Sequence, residues 1–186
     1  GRSMTKPFNI ALGILVVLGI FYMVNQRSQK THTISGEAIF SGNHDSVFRV
    51  VITENNNELE LIRSDSTWKI SQAETLIIKD NQIDKLFDRI LTVEQEMLIT
   101  SKSEKWAKFG VDDSLGRHLQ VFDDKGQELI HYIFGNSGQD YQHNYIRNVN
   151  SPEVYRTNDN VYFLVNSSTT YWGKNPPKPK PEEENN

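Results

Sequence analysis

The chain has 186 residues, with 20 Lys and Arg against 24 Asp and Glu, a formal charge of −4 and no cysteine. That balance excludes a nucleic-acid surface, and the missing thiols exclude disulfides, a Cys nucleophile and thiolate zinc sites. All the acids and all but two of the bases lie after residue 24, so the larger part of the chain is acidic and unsuited to binding anionic lipid by charge.

The first element in chain order is residues 8–24 (FNIALGILVVLGIFYMV), seventeen residues of which eleven are Leu, Ile, Val or Phe. At about 1.5 Å per residue the run reaches roughly 25 Å as a helix, a little short of a hydrocarbon core of about 30 Å. Lys6 before it and Arg27 and Lys30 after it can extend their stems to the interface and close that gap. The run is read as an uncleaved transmembrane anchor held by Phe8, Ile10, Leu12, Leu15, Leu18, Phe21 and Val24. A cleaved secretory signal has the same basic-then-apolar order, but residues 25–30 (NQRSQK) offer no small-x-small cleavage site. Residues 1–7 are read as a cloning remnant followed by a cytoplasmic tip starting at Met4. Basic residues flank the run on both sides, so it is the short tip ahead of a large domain that points the N-terminus into the cytoplasm. In a bacterium the remainder is then extracytoplasmic on the inner membrane. The anchor has no Gly-x-x-x-Gly string to support self-association.

Residues 25–46 are polar with scattered glycine and are expected to be a linker, with a short edge strand around Ala38. Residues 47–53 (VFRVVIT) and 58–62 (ELELI) predict a hairpin, and residues 67–70 a third strand. Over residues 80–93, Ile83, Leu86, Phe87, Ile90 and Leu91 fall on one helical stripe with Asp80 as N-cap, predicting one long amphipathic helix packed on a sheet. Residues 97–100 read as extended. Ser103 is expected to cap a short helix over 104–109 that Gly110 ends. A second hairpin joins 117–123 to 128–134, and further strands follow over 144–149 and 153–156. Asp159 is a candidate cap for a last short helix over 160–165. The class is α+β: one extracytoplasmic domain over 47–174, an antiparallel meandering sheet with one long and one or two short helices. Residues 175–186 (NPPKPKPEEENN) cannot form a core and read as a disordered Pro/Glu-rich tail.

Residues able to carry chemistry are few. None of the five histidines sits at a helical i, i+4 spacing from another, although the second hairpin can bring His118 towards His131. Two imidazoles would still need a third metal ligand, and no metal or cofactor is assigned. Asp112 with Asp113 and Asp123 with Asp124 are sequence neighbours in turn contexts, which favours backbone bonding over acid–base catalysis. No Gly-x-Ser-x-Gly elbow singles out a nucleophile. Residues 135–141 (GNSGQDY) could cradle an anion, but the loop precedes a strand and lacks a helix dipole. Tyr145, Arg147 and Val149 share one strand face, so Arg147 can sit beside aromatics as a stacked or paired cation and is the candidate for a binding role, with Tyr145, Tyr141 and Trp172 as possible ligand or partner contacts.

Thr67-Trp68-Lys69-Ile70, the amphipathic helix, Phe109-Gly110-Val111-Asp112, Phe134-Gly135, Asn144-Tyr145-Ile146-Arg147 and Val154-Tyr155 follow in an order that resembles a bacterial family. That family is domain of unknown function 4340, and the resemblance covers roughly residues 47–165. Ser114 stands where members often carry proline, and longer members hold several copies of the domain. The resemblance implies membrane-anchored proteins often encoded beside gliding-type ABC transporter components, and carries over no catalytic residue. The expectation is a non-enzymatic, single-pass accessory or assembly module with two partners, the lipid bilayer and an ABC transporter component. The alternative is an envelope glycan- or peptide-binding domain using the late aromatics and Arg147. A hydrolase using Asp112, Asp113 or the histidines ranks last.

Overall fold

The computed structural model describes residues 13–20, 36–136 and 138–179, and the chain divides into two units, Gly1–Ile34 and Ser35–Asn186. In the first unit residues 13–20 are helical, with Leu15 and Leu18 exposed at 67% and 59%. Phe8, Ile10, Leu12, Phe21 and Val24 lie outside the described residues, as does the tail beyond residue 179. Among the described residues no helix is long and apolar enough to cross a membrane.

The second unit is built on an antiparallel sheet of nine strands. In chain order these are β1 (Glu37–Ala38), β2 (Arg49–Glu54), β3 (Asn57–Ser64), β4 (Thr67–Ile70), β6 (Glu94–Thr100), β7 (Arg117–Phe122), β8 (Glu128–Gly135), β9 (Tyr145–Asn148) and β10 (Val154–Thr157). Two further strands, β5 (Ile77–Ile78) and β11 (Gly173–Lys174), pair with each other. Across the large sheet the order is β1-β6-β10-β9-β8-β7-β2-β3-β4. Two meanders, β2-β3-β4 and β7-β8-β9-β10, therefore meet along the β2–β7 ladder, where Ile52 faces Leu119 and Val50 faces Val121.

Period-two alternation sorts each strand between two faces. The inner face buries Val50, Ile52, Leu59, Leu61, Leu119, Val121, Phe134 and Ile146, all at 0% exposure. The chain crosses that face after β4, where Leu86, Ile90 and Leu91 join the same core. After β6 it returns over the other face, where Val111, Trp106 and Phe109 pack with Ile133, Val154 and Tyr145 in a smaller cluster.

The predicted α+β class and both hairpins are present, and the third strand has the predicted bounds. Three expectations about helices need correction. The long helix is one α-helical turn, Gln82–Lys85, continued by a π-helical turn, Leu86–Ile90. Asn81, with φ 65° and no capping side-chain bond, stands at its N-cap in place of Asp80. The Leu91 amide reaches back to the Leu86 carbonyl at 2.9 Å, and the Thr92 hydroxyl bonds the Asp88 carbonyl at 2.7 Å, which closes the helix before Val93. The helix over 104–109 is two 3₁₀ turns, Ser103–Lys105 and Ala107–Phe109, without a Ser103 cap, and Gly110 ends it in the left-handed region at φ 65°. Asp159 caps nothing: it pairs with Arg89 at 2.7 Å, while Asn160 accepts the Tyr162 amide ahead of the 3₁₀ turn Tyr162–Leu164. The expected linker also shortens. Residues 36–46 belong to the domain, because β1 pairs with β6 and Ile39 is 5% exposed in the core.

Two glycines let the outer crossing lie flat. Gly110 and Gly135 pass back to back, and a Cβ built on Gly135 would collide with the Phe109 carbonyl oxygen and stand 2.9 Å from Gly110 backbone atoms. Backbone on both sides leaves no flexible side chain to yield. Gly135→Ala should therefore destabilise the domain by about 1–3 kcal/mol, the ordinary range for overpacking. The urea midpoint of the variant against the parent checks this, and an unchanged midpoint contradicts the close approach.

Candidate functional site

Arg147 on β9 points to the outer face and is 1% exposed. Its Nε donates to the Val111 carbonyl at 2.9 Å, and its Nη1 donates to the Val149 and Ser151 carbonyls at 3.4 and 3.5 Å. Nη2 donates to the Asp113 carboxylate at 2.7 Å, and the guanidinium lies 3.6 Å above the Trp106 ring centre. Every side of the cation is thus occupied from within, so Arg147 is a positioning residue that no ligand reaches. Tyr145 is beside it, edge-on to Phe109 at 4.9 Å. Trp172 is 1% exposed in the inner core, its indole N–H bonded to the Asn166 carbonyl at 2.7 Å, whereas Tyr141 is 85% exposed in the loop after β8. The structure brings together only Arg147 and Tyr145 of that set.

The histidines meet as the hairpin predicts. His118 and His131, diagonal neighbours on β7 and β8, bond through Nδ1 and Nε2 at 2.9 Å, and His118 Nε2 lies 3.0 Å from the Asp113 carbonyl. A carbonyl only accepts, so His118 carries its proton on Nε2 and its bare Nδ1 takes the bond from His131 Nε2–H. Both His118 nitrogens are then engaged, and His131 Nδ1 is left towards Glu128 at 3.8 Å. Among the described residues no group of three or more His, Asp or Glu is placed to hold a metal ion. Asp112 accepts from the amides of Ser114 and Leu115 and from the Ser114 hydroxyl. Burial raises its pKa, but those bonds and the Arg147 charge outweigh it and hold the carboxyl below its ordinary value. Asp123 accepts the Lys125 and Gln127 amides in the β7–β8 turn. In the loop after β8, Asn136 and Asp140 accept the amides of Gly138 and Gln142, so the glycine-bearing stretch turns on its own side chains.

A different place offers open space. On the inner face, beyond the cover of the helix, a cleft of about 280 Å³ is lined by Gln95, Tyr132, Asn148, Asn150, Ser151, Glu153 and Tyr155. Tyr132 on β8 and Tyr155 on β10 stand on the strands either side of β9, and Gln95 donates to the Tyr132 hydroxyl at 3.0 Å. The third wall is the turn between β9 and β10, which is held from the opposite side of the sheet. Arg147 binds two of its carbonyls, and the Trp106 indole N–H binds a third, that of Pro152, at 3.0 Å. Within the turn Asn148 accepts the Asn150 amide, and the Ser151 hydroxyl donates to the Glu153 carboxylate. Sequence reasoning missed this cleft because its residues come from four strands and a turn. The available signal was the polar string Asn148, Asn150, Ser151 and Glu153 following the arginine.

With this geometry in place, comparison with known proteins decides the family. The model described as Domain of unknown function (DUF4340) matches residues 68–177. The chain belongs to the DUF4340 family. The match begins at Trp68 on β4 and runs past β11, so it takes in the outer crossing, Arg147 and the cleft. The family strings gain a structural reason here: Phe109-Gly110 and Phe134-Gly135 are the two segments that pass back to back, and Val111 supplies the carbonyl that Arg147 binds. No curated protein and no solved structure matches the chain.

Arg147→Met should cost on the order of 3 kcal/mol, because the buried Val111 carbonyl and the turn lose their donor. Asp113→Asn should cost under about 1 kcal/mol, since the Asp113 side chain is 76% exposed and its bond is solvent-screened. Chemical denaturation of both variants checks the ranking, and equal losses would contradict the role given to the carbonyls. Burial is the leading cause that lowers the His131 pKa below the ordinary 6.5, with Glu128 opposing. On acidification the unfolded chain takes up this proton first, so the contribution of neutral His131 is complete above about 6.5 and is lost as the pH falls through the lower folded value. Urea midpoints between pH 8 and 5 should fall on acidification, and less steeply in His131→Gln.

Proposed function

We propose that this DUF4340 protein is a non-enzymatic, membrane-tethered module whose domain works on the extracytoplasmic side of a bacterial inner membrane, as an accessory or assembly component of an ABC-type transporter. The observation that carries the reading is the apolar run over residues 8–24 ahead of a single domain. The seventeen residues have the composition of an anchor, and the mostly polar stretch 25–35 between them and the domain suits a tether. The side chains best suited to acid–base work are already engaged: His118 by His131 and Asp113, Asp112 by three donors, and Asp113 by Arg147. Asp113 and His118 do line a common cleft of about 260 Å³, but the carboxylate turns to Arg147 and leaves the imidazole without an orienting acid. A hydrolase needs a free base beside a nucleophile, and the engagement of these side chains weighs against that reading. The ABC-type partner is supported by the gene neighbourhood that the family resemblance implies. The glycan- or peptide-binding alternative loses Arg147 as a contact, and only the tyrosine cleft favours it.

Two experiments test the reading. The full chain should remain in the carbonate-washed membrane pellet and extract only with detergent, and removal of residues 8–24 should release a folded domain into the soluble fraction. Retention of that deletion in the pellet would overturn the anchor. Detergent purification from the native host should recover transporter subunits with the protein, and recovery of the protein alone at full yield would overturn the partnership.

A further inference from the structure

We infer that the cleft between Tyr132, Tyr155 and Glu153 is a recognition site for a primary ammonium group on an aliphatic stem, the side chain of a lysine on a partner protein. Of the lining groups, Glu153 is a half-buried carboxylate, and among the described residues it forms no ion pair. Its one bonded neighbour is the Ser151 hydroxyl, a neutral donor that orients the carboxylate without neutralising it. Glu37 on the edge strand β1 stands opposite the lining residue Gln95 and adds a second carboxylate beside the cleft. The phenol of Tyr155 is held above its ordinary pKa first by burial and then by the Glu153 carboxylate.

A half-buried tyrosine ring beside a carboxylate is the chemistry that takes up a cation: Tyr155 attracts it electrostatically and packs its methylenes, Glu153 accepts its hydrogen bonds, and Tyr132, 7% exposed, backs the cleft. Asn148, Asn150 and Gln95 supply amide groups around the rim. At about 280 Å³ the cleft suits one side chain. A lipid headgroup would also present an ammonium, but it brings a phosphate against Glu153 and Glu37 and is disfavoured by their charge. The wall bearing Glu153 is fixed by Arg147 and Trp106 from behind, so the site is organised before a ligand arrives. The inference rests on the accessory-module reading only in assigning the lysine to a partner protein, and the cation chemistry is tested without any partner.

The test is a titration of the full chain in detergent micelles, with ring-labelled tyrosine and histidine followed by NMR. n-Butylammonium chloride should shift the Tyr132 and Tyr155 signals saturably, whereas 1-butanol, which has the same number of heavy atoms, and sodium chloride at equal ionic strength should not. Glu153→Gln, which keeps an acceptor for Ser151, should weaken binding roughly fivefold or more. Tyr155→Leu should abolish it while the His118 and His131 signals stay in place. Linear shifts, equal shifts with 1-butanol, or parental affinity in Glu153→Gln would overturn the site. Tighter binding of phosphoethanolamine than of n-butylammonium would overturn the lysine assignment in favour of a headgroup.

Discussion

The guanidinium of Arg147 is the contact on which the outer half of the domain depends. Removing a charge from water costs several kcal/mol, and this one is repaid by an ion pair, a ring face and three carbonyls. Those partners come from segments far apart in the chain: the crossing that holds Trp106, Val111 and Asp113, and the turn that holds Val149 and Ser151. A neutral side chain could fill the volume, but it could not satisfy carbonyls arriving from several directions. The planar fork of an arginine can, and a lysine, with one point of charge, cannot match it.

The sheet places that cation because the outer crossing lies almost in contact with it. Gly110 and Gly135 permit the approach, Val111 then falls within reach of Arg147 Nε, and Trp106 closes over the guanidinium. On the opposite face the work is done by apolar burial, with the short α and π turns laying Leu86 and Ile90 on the strands. The two faces therefore hold together by different means. Towards the β6 and β10 side, a cleft on the inner face is lined by Gln95, Tyr132 and Tyr155.

Charge usage separates the regions of the domain. The histidine pair, Asp112 and Asp113 are tied into internal bonds on the outer face, and Arg156 with Glu96 and Arg117 with Glu54 are ion pairs on the sheet. Glu153 is different, since its neighbour is a hydroxyl. On the proposed reading of a membrane-tethered module, selectivity would come from a small surface of this kind rather than from net charge. The acidic balance of the domain is consistent with a basic partner group.

Local pattern alone determined the strands of both hairpins, the bounds of β4, the helical stripe Ile83, Leu86, Phe87, Ile90 and Leu91, and the apolar run over residues 8–24, because each signal lies within a few neighbouring residues. The same local logic put His118 beside His131, since a hairpin register is set by its turn. It also placed Arg147 and Tyr145 on one face, yet it could not say that the face is covered, and so it took a buried strut for a binding cation. Which strands neighbour one another, that residues 36–46 join the core, and that Trp172 lies inside while Tyr141 lies outside were decided only in three dimensions. The cleft belongs to the same category: Gln95, Tyr132, Asn148 and Tyr155 converge through long-range strand pairing, which no periodicity along the chain records.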